Sequence, residues 1–297
     1  MAIRNAFTVD VEDYYHVSAF EYQVERKDWG KFESRVERNV ERLLELLAAH
    51  DVLGTFFVLG WVAEHHPQLV RRIHAAGHEI GSHSYWHRLI YRQTPEEFRE
   101  DLIRSRDVLE ETIGQKVRSF RAPSFSITRQ SLWALDILAE EGFEFDSSVF
   151  PVYHDRYGIA DARRDPHLVK TSAGSLWEFP LSVRRIAGVN FPVSGGGYFR
   201  MLPMRWTLHC LDKINCRQGR PFVFYIHPWE LDPEQPRLEF GTRLSRFRHY
   251  RNLAATEQRL HRLLSAFEFR PLCEVIANIA SQPCSQDRSA AHLASSI

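Results

Sequence analysis

Short runs of β-branched and aromatic residues alternate along this chain with stretches of helical period, and that alternation limits the possible folds more than any other feature. Ala6 to Val11 reads as a buried strand ending in acidic residues, and Val52 to Leu59 (VLGTFFVL) as a second. Between them, Glu33 to His50 carries Val36, Val40, Leu43, Leu44 and Leu47 at helical spacing. Trp61 to Ala76 is expected as one helix closing at Gly77, and His78 to Ser82 as the next strand. Thr94-Pro95-Glu96-Glu97 reads as an N-cap with proline in the first turn, opening a helix to about Ile113. Val117 to Arg121 is a strand, and Gln130 to Glu141 a helix ended by Gly142. Strand and helix at this spacing build βα units on a largely parallel sheet. The polar motifs fall where strands end, at the edge where such sheets form their sites.

The rest of the chain is less regular. Phe145 to Phe199 is rich in Gly, Pro and aromatics and is expected to wall a cleft with loops and extra strands. Pro221 to His227 (PFVFYIH) is a late buried strand, and Leu244 to Phe267 an amphipathic helix. From Ser281 the chain turns Ser/Ala/Gln-rich, as a disordered tail does. Lys+Arg 38 balances Asp+Glu 38, so no global basic field recruits nucleic acid or an anionic membrane, although local patches are compatible with that total. Cys210, Cys216, Cys273 and Cys284 match neither a zinc-binding spacing nor a secreted disulfide framework and are expected as reduced thiols. The first residues lack the apolar core of a signal peptide, and no apolar run reaches the ~20 residues of a membrane span. The expected location is cytoplasmic.

Two segments carry the chemistry. In Gly81-Ser82-His83-Ser84-Tyr85-Trp86-His87 the histidines stand four apart, which on a helical turn brings both imidazoles to one face and to one metal ion. In Asp10-Val11-Glu12-Asp13, strand alternation sends Asp10 and Glu12 to the same side. Asp13 faces away if the strand continues and stays within reach if it ends early. Carboxylates crowded beside apolar residues repel one another unless a cation sits among them, which favours a metal or catalytic role. Arg121, at a strand end before a turn-fixing Pro123, has the geometry to hold a carboxylate bidentately. His227, delivered by a buried strand, is either a general acid or a core histidine bonded to backbone.

In order, TVDVED, GSHSYWH, FRAP and the strand ending in IHPWE resemble the motifs of the polysaccharide deacetylases (carbohydrate esterase family 4, the chitooligosaccharide deacetylase homology domain) over roughly residues 5 to 230. FDSS (145–148), LWEFP (176–180) and SGGGYFR (194–200) resemble the subgroup of exosortase/PEP-CTERM exopolysaccharide loci, and residues 247–253 with the helix after them resemble its C-terminal extension. The resemblance implies an α/β fold, a distorted (β/α) barrel in residues 1–235, with a helical extension over 236–280 packed on the barrel and a tail over 281–297. It further implies a divalent metal, zinc by preference, held by His83, His87 and an acid. Asp10 becomes the general base, oriented by Arg121, and His227 the acid for the leaving amine. The third ligand departs from the family's adjacent aspartates, so Glu12 and Asp13 both stand as candidates. Pro123, Trp177, Tyr198 and Trp229 are the expected substrate-binding residues.

The expected function is removal of N-acetyl groups from an N-acetylhexosamine-containing glycan in exopolysaccharide biosynthesis, with a glycan as partner, no nucleic acid, and association with inner-membrane polysaccharide assembly machinery. The nearest rival is hydrolysis of another linear or cyclic C–N bond, as in allantoinases. The rival of another class is a non-catalytic glycan-binding protein, and the joint presence of Asp10, His83, His87 and His227 argues against it.

Overall fold

A computed structural model describes residues 3–154 and 156–281. Cys284 and the expected tail beyond Ser281 lie outside the described residues. The strands are β1 (Arg4–Val11), β2 (Thr55–Val58), β3 (Glu79–Ser82), β4 (Ser119–Phe120), β5 (Phe145–Asp146), β6 (His167–Thr171), β7 (Gly174–Glu178), β8 (Val183–Ile186), β9 (Val189–Pro192), β10 (Val223–Ile226) and β11 (Glu268–Arg270). The helices are α1 (Val36–Ala48), α2 (Gly60–His65), α3 (Pro67–Ala75), α4 (Pro95–Ile113), α5 (Trp133–Glu140), α6 (Gly196–Met201), α7 (Met204–Gln218), α8 (Arg243–Tyr250), α9 (Leu253–Ala266) and α10 (Leu272–Ala280).

The main sheet runs β10-β1-β2-β3-β4-β5-β7-β6, with β11 added on β1. Its pairings are parallel except for the β6–β7 hairpin. It is strongly curved: the Arg121 side chain, leaving β4, donates to Thr8 and Asp10 of β1 and to Ser147 after β5, and lies over the Phe57 ring of β2. One side chain touches all of those strands only inside a barrel. The free edge of β10 is covered by loop rather than by a named strand. Val223 N–H donates to Ser182 Oγ (2.9 Å) and Tyr225 N–H to the Ser194 carbonyl (2.7 Å). Gly195 makes that approach possible, because a Cβ there would stand 1.9 Å from the Tyr225 carbonyl oxygen. The fold is a distorted (β/α) barrel.

Local chemistry explains the boundaries. Thr94 and Glu97 form a reciprocal capping box at the start of α4, with Pro95 in its first turn, and Gly114 closes it at φ 69°. The single helix expected over 61–76 is two, because Pro67 forces His66 out of the helical region (φ −131°, ψ 53°). The helix expected over 244–267 likewise breaks at Asn252, which takes φ 58° between α8 and α9. After residue 235 the chain adds α8, α9 and α10, and also β11, which joins the sheet beside Arg4–Ala6. Leu260, Leu263 and Phe269 of that segment are buried in the same core as Val9 and Phe56. Cys210, Cys216 and Cys273 form no disulfide among the described residues, and no described helix is long and apolar enough to cross a membrane.

Candidate active site

Glu12, His83, Arg121, Ser147 and His227 all follow the last residues of parallel strands, so one edge of the barrel collects them. The backbone leaves strand geometry after Val11, where Glu12 N–H donates to the Asp10 carbonyl (3.1 Å). Asp10 and Glu12 both end up in the cleft.

The histidine pair converges by a different route from the one expected. Residues 83–87 are not helical: Ser84 (φ 65°) and His87 (φ 50°) are left-handed and fold the loop back on itself. The loop is held from outside by α4. Asp101 Oδ2 accepts from Tyr85 N–H (2.7 Å), Asp101 Oδ1 from Trp86 N–H (3.1 Å), and Ser105 Oγ donates to the Ser84 carbonyl (3.1 Å). Gly81 is required beneath it, because a Cβ would meet the Phe57 ring at 2.6 Å. Asp101 and Ser105 carried no motif, and only the spacing of buried polar residues within an amphipathic helix marked them.

Ligand atoms of Glu12, His83 and His87 lie within 4.8 Å of one another, and all three residues are buried. Three observations fit a divalent cation there. His83 Nδ1 donates to the Arg121 carbonyl (2.8 Å), which leaves the Nε2 lone pair free, and burial lowers its pKa to about 4, so the ring is neutral. Glu12 is held below the usual carboxylate range: burial opposes ionisation, but His87 above all, with His227 and His83, outweighs it. Glu12 Oε2 and His87 Nε2 stand 2.8 Å apart and Oε2 has no other partner among the described residues, so a cation between them would replace their direct contact. Glutamate, two imidazoles and an open cleft side are a donor set suited to zinc and its neighbours.

Asp13 is not part of this group. Its Oδ2 accepts from Ser34 Oγ (2.9 Å), Arg35 N–H (2.7 Å) and Val36 N–H (3.2 Å), and its Oδ1 from Tyr14 N–H (3.1 Å). It ties down the first turn of α1, and its expected place among the metal ligands is corrected: once the strand ends at Val11, the next carboxylate faces the helix.

Asp10 Oδ1 accepts from Arg121 Nη1 (2.8 Å), while Oδ2 faces His227 Nε2 at 3.9 Å across the cleft. The Arg121 guanidinium is fully buried and also donates to Thr8 Oγ1, the Ser147 carbonyl and Ser147 Oγ. On the far side, His227 Nδ1 is 2.8 Å from Glu230 Oε1, and Glu230 Oε2 accepts from Arg200 Nε (2.5 Å). Burial alone would lower the His227 pKa, but the Glu230 hydrogen bond and the charges of Glu12, Glu230 and Asp10 raise it to about 9. Glu230, despite burial, is pulled down to about 2 by Arg200 and His227. Arg200 in turn donates to the His249 and Arg251 carbonyls, which brings the end of α8 into the site. Glu230 and Arg200 were missed by sequence reasoning; their signal was a charged residue next to an apolar strand or helix face.

Among the expected substrate residues, Trp229 lines the cleft, donates Nε1–H to Glu12 Oε1 (3.2 Å) and stacks between His227 and His249. Tyr198 reaches the cleft wall through Tyr157, with hydroxyls 3.0 Å apart. Pro123 is buried in a 3₁₀ turn, outside the cleft lining. Trp177 is also absent from the lining: it shares a strand face with Phe179 and packs low in the barrel with Ala6, Phe57 and Val223, while Leu176 and Glu178 take the other face of β7, towards the helices.

Glu178 meets Asp146 on the helix-facing side of the sheet, close enough to hydrogen-bond, and burial raises both pKa values, Glu178 the more strongly. The pair is expected to share a proton above the ordinary carboxyl range. Between the ordinary carboxyl range and the raised value the native chain binds more protons than the unfolded one, so this pair makes stability fall as pH rises through that window. Glu178→Gln keeps a donor towards Asp146 without a titrating proton and is expected to flatten that fall in thermal unfolding between about pH 5 and 9. Glu178→Ala leaves Asp146 unpartnered and is expected to cost roughly 2–5 kcal/mol. A wild-type stability that rises through the same range would refute the shared proton.

Comparison with known proteins places two of the four motifs, GSHSYWH and FRAP, in a deacetylase match. Residues 28–143 match the polysaccharide deacetylase family, and residues 147–277 match a domain of unknown function, DUF3473. The peptidoglycan-N-acetylglucosamine deacetylase of Bacillus cereus is 34% identical over 96 residues, 32% of this chain and 35% of that protein. A chitooligosaccharide deacetylase of a Bradyrhizobium species is 32% identical over 98 residues, 33% of this chain and 42% of its own length. The match thus spans well under half the length of these relatives. The crystal structure of a candidate polysaccharide deacetylase from Mycobacterium smegmatis superimposes with a TM-score of 0.63 at 21% identity, covering 95% of this chain and 91% of that one, a likeness of fold. The site straddles both matched regions: His83, His87 and Arg121 fall in the first, and His227 and Glu230 in the second. One stretch of the chain is thus similar to the polysaccharide deacetylase family and the next to DUF3473, and both contribute to one cleft.

Proposed function

We propose that the protein is a metal-dependent hydrolase that removes N-acetyl groups from an N-acetylhexosamine-containing glycan. The single observation that carries this reading is the placement of Asp10 and His227, 3.9 Å apart, beside the Glu12/His83/His87 group, one held by Arg121 and the other by Glu230. A divalent cation held by those three residues would supply Lewis-acid charge that acidifies water and polarises an acyl oxygen. Asp10, with one oxygen fixed by Arg121, presents its other oxygen to take the proton of the attacking water. His227, with Nδ1 committed to Glu230, presents Nε2 to give a proton to the departing amine, so that amine and acetate leave together. Trp229 offers an indole edge and face beside the reacting group, a surface suited to a sugar ring. The likeness of FDSS, LWEFP and SGGGYFR to the exopolysaccharide subgroup supports a role in exopolysaccharide assembly beside membrane-bound machinery.

Metal analysis of the purified chain, combined with acetate release from a panel of N-acetylated oligosaccharides, tests the reading. Zinc or a similar ion at near one equivalent and metal-dependent acetate release are expected. No release with any divalent metal, together with an unchanged metal content in His83→Ala, would sink it. Ring opening of allantoin to allantoate, with no acetate release from any glycan, would hand the site to the C–N hydrolase rival.

A further inference from the structure

Formal charge cancels over the whole chain, 38 against 38, but not over the cleft. The acidic side chains lining it are Asp10 and Glu12, both engaged by Arg121, the histidines and Trp229. Arg200, at the cleft floor, is matched by Glu230. Arg156 and Arg248 also line the cleft, from the loop after β5 and from α8, and are exposed. Arg156 donates to the Ser18 carbonyl, and neither has a carboxylate partner among the described residues. Leu89 borders both the cleft and a neighbouring depression lined by Arg26, Arg92 and Glu21, where Glu21 pairs with Arg92. Arg26 there donates to the Trp86 carbonyl (2.8 Å) rather than to an acid.

Cations gathered at the mouth of a low-dielectric cleft focus a positive potential outward, and the guanidinium fork matches carboxylate and phosphate oxygens. A neutral chitin-like chain would leave this potential unmatched. Resting on the deacetylase reading above, we propose that the glycan is acidic: carboxylate or phosphate groups on sugars flanking the N-acetylated one are held by Arg156 and Arg248. Arg26 continues the same track for the next anionic group.

The test uses the metal-loaded chain and three N-acetylated probes: neutral chitotetraose, a hyaluronan tetrasaccharide carrying carboxylates, and UDP-N-acetylglucosamine carrying phosphates. Dissociation constants are measured without turnover, and acetate release separately. At low salt at least one anionic probe is expected to bind about tenfold more tightly than chitotetraose, with the advantage shrinking as salt is added. Which probe shows it identifies the anion. The double variant Arg156→Gln/Arg248→Gln is expected to bring the ratio to within about twofold, whereas Arg71→Gln, on the outer face of α3, keeps it. Equal affinities for all probes in the wild type would overturn the proposal, as would a preference that the double variant leaves intact. Tight anionic binding without acetate release from any probe would instead defeat the deacetylase reading and leave the charge preference standing.

Discussion

Glu12→Ala is expected to weaken metal binding by at least about 10²-fold and to abolish acetate release, while Asp13→Ala keeps its metal. Even outer partners of metal-bound histidines are worth ~10–100-fold in affinity, so a directly facing carboxylate is worth no less. Glu12 Oε2 is buried, 2.8 Å from His87 Nε2 and without any other partner among the described residues, so its place is set by the histidine pair. Asp13 has its oxygens filled by three backbone N–H groups and a hydroxyl at the start of α1. Its removal is therefore a stability defect, roughly 1–3 kcal/mol, read as a lower Tm with metal content unchanged. Metal analysis after dialysis, with thermal unfolding of both variants, separates the two residues. Full metal occupancy in Glu12→Ala would show that the cation, if bound, sits elsewhere.

His227→Ala is expected to lower kcat by about 10²–10⁴ with metal content intact, the usual worth of a positioned general acid. The companion variant Glu230→Gln tests how that acid is tuned. Glu230 is the nearest group raising the His227 pKa, so losing its charge lowers that pKa. A general acid must be protonated, and activity falls as pH climbs through its pKa. The descending alkaline limb of the kcat/KM profile is thus expected to move towards acid in Glu230→Gln. Arg200 loses its charge partner in the same variant, so Tm is measured alongside; a lower Tm with an unmoved limb would leave Glu230 a structural role only.

How much of this was legible beforehand differs by residue. The barrel strands were readable because each is a short apolar run bounded by turns, and Asp10 and Arg121 because charges at the ends of such strands have few innocuous explanations. The reading of HxxxH reached the right pair through the wrong local structure. Helical spacing and a left-handed loop bring residues four apart to similar proximity, and only the hydrogen bonds from Asp101 and Ser105 select the loop. Trp177 was misjudged because an aromatic in a Gly/Pro-rich segment looks like a cleft wall until its strand partner is known. Pairing of Phe145 with Trp177 and of Asp146 with Glu178 puts the indole low in the barrel, away from the cleft, and the carboxylates on the helix-facing side. The Pro67 and Asn252 breaks lay in plain view, but an apolar period that runs through a breaker conceals it.

By itself the sequence determined the alternation of strand and helix and the edge at which polar residues gather, and its motifs singled out Asp10, His83, His87 and His227 as the candidates for base, ligands and acid, since each rests on local pattern or on a motif. Tertiary structure alone decided that Glu12 and not Asp13 faces the histidines, that Glu230 and Arg200 stand behind His227, and that Arg156 and Arg248, without a carboxylate partner among the described residues, stand along the cleft. Each of these depends on which side chains from distant segments meet in space. A carboxylate one residue past a strand, or an arginine more than a hundred residues from the motif it serves, has a direction only after the barrel has closed around it.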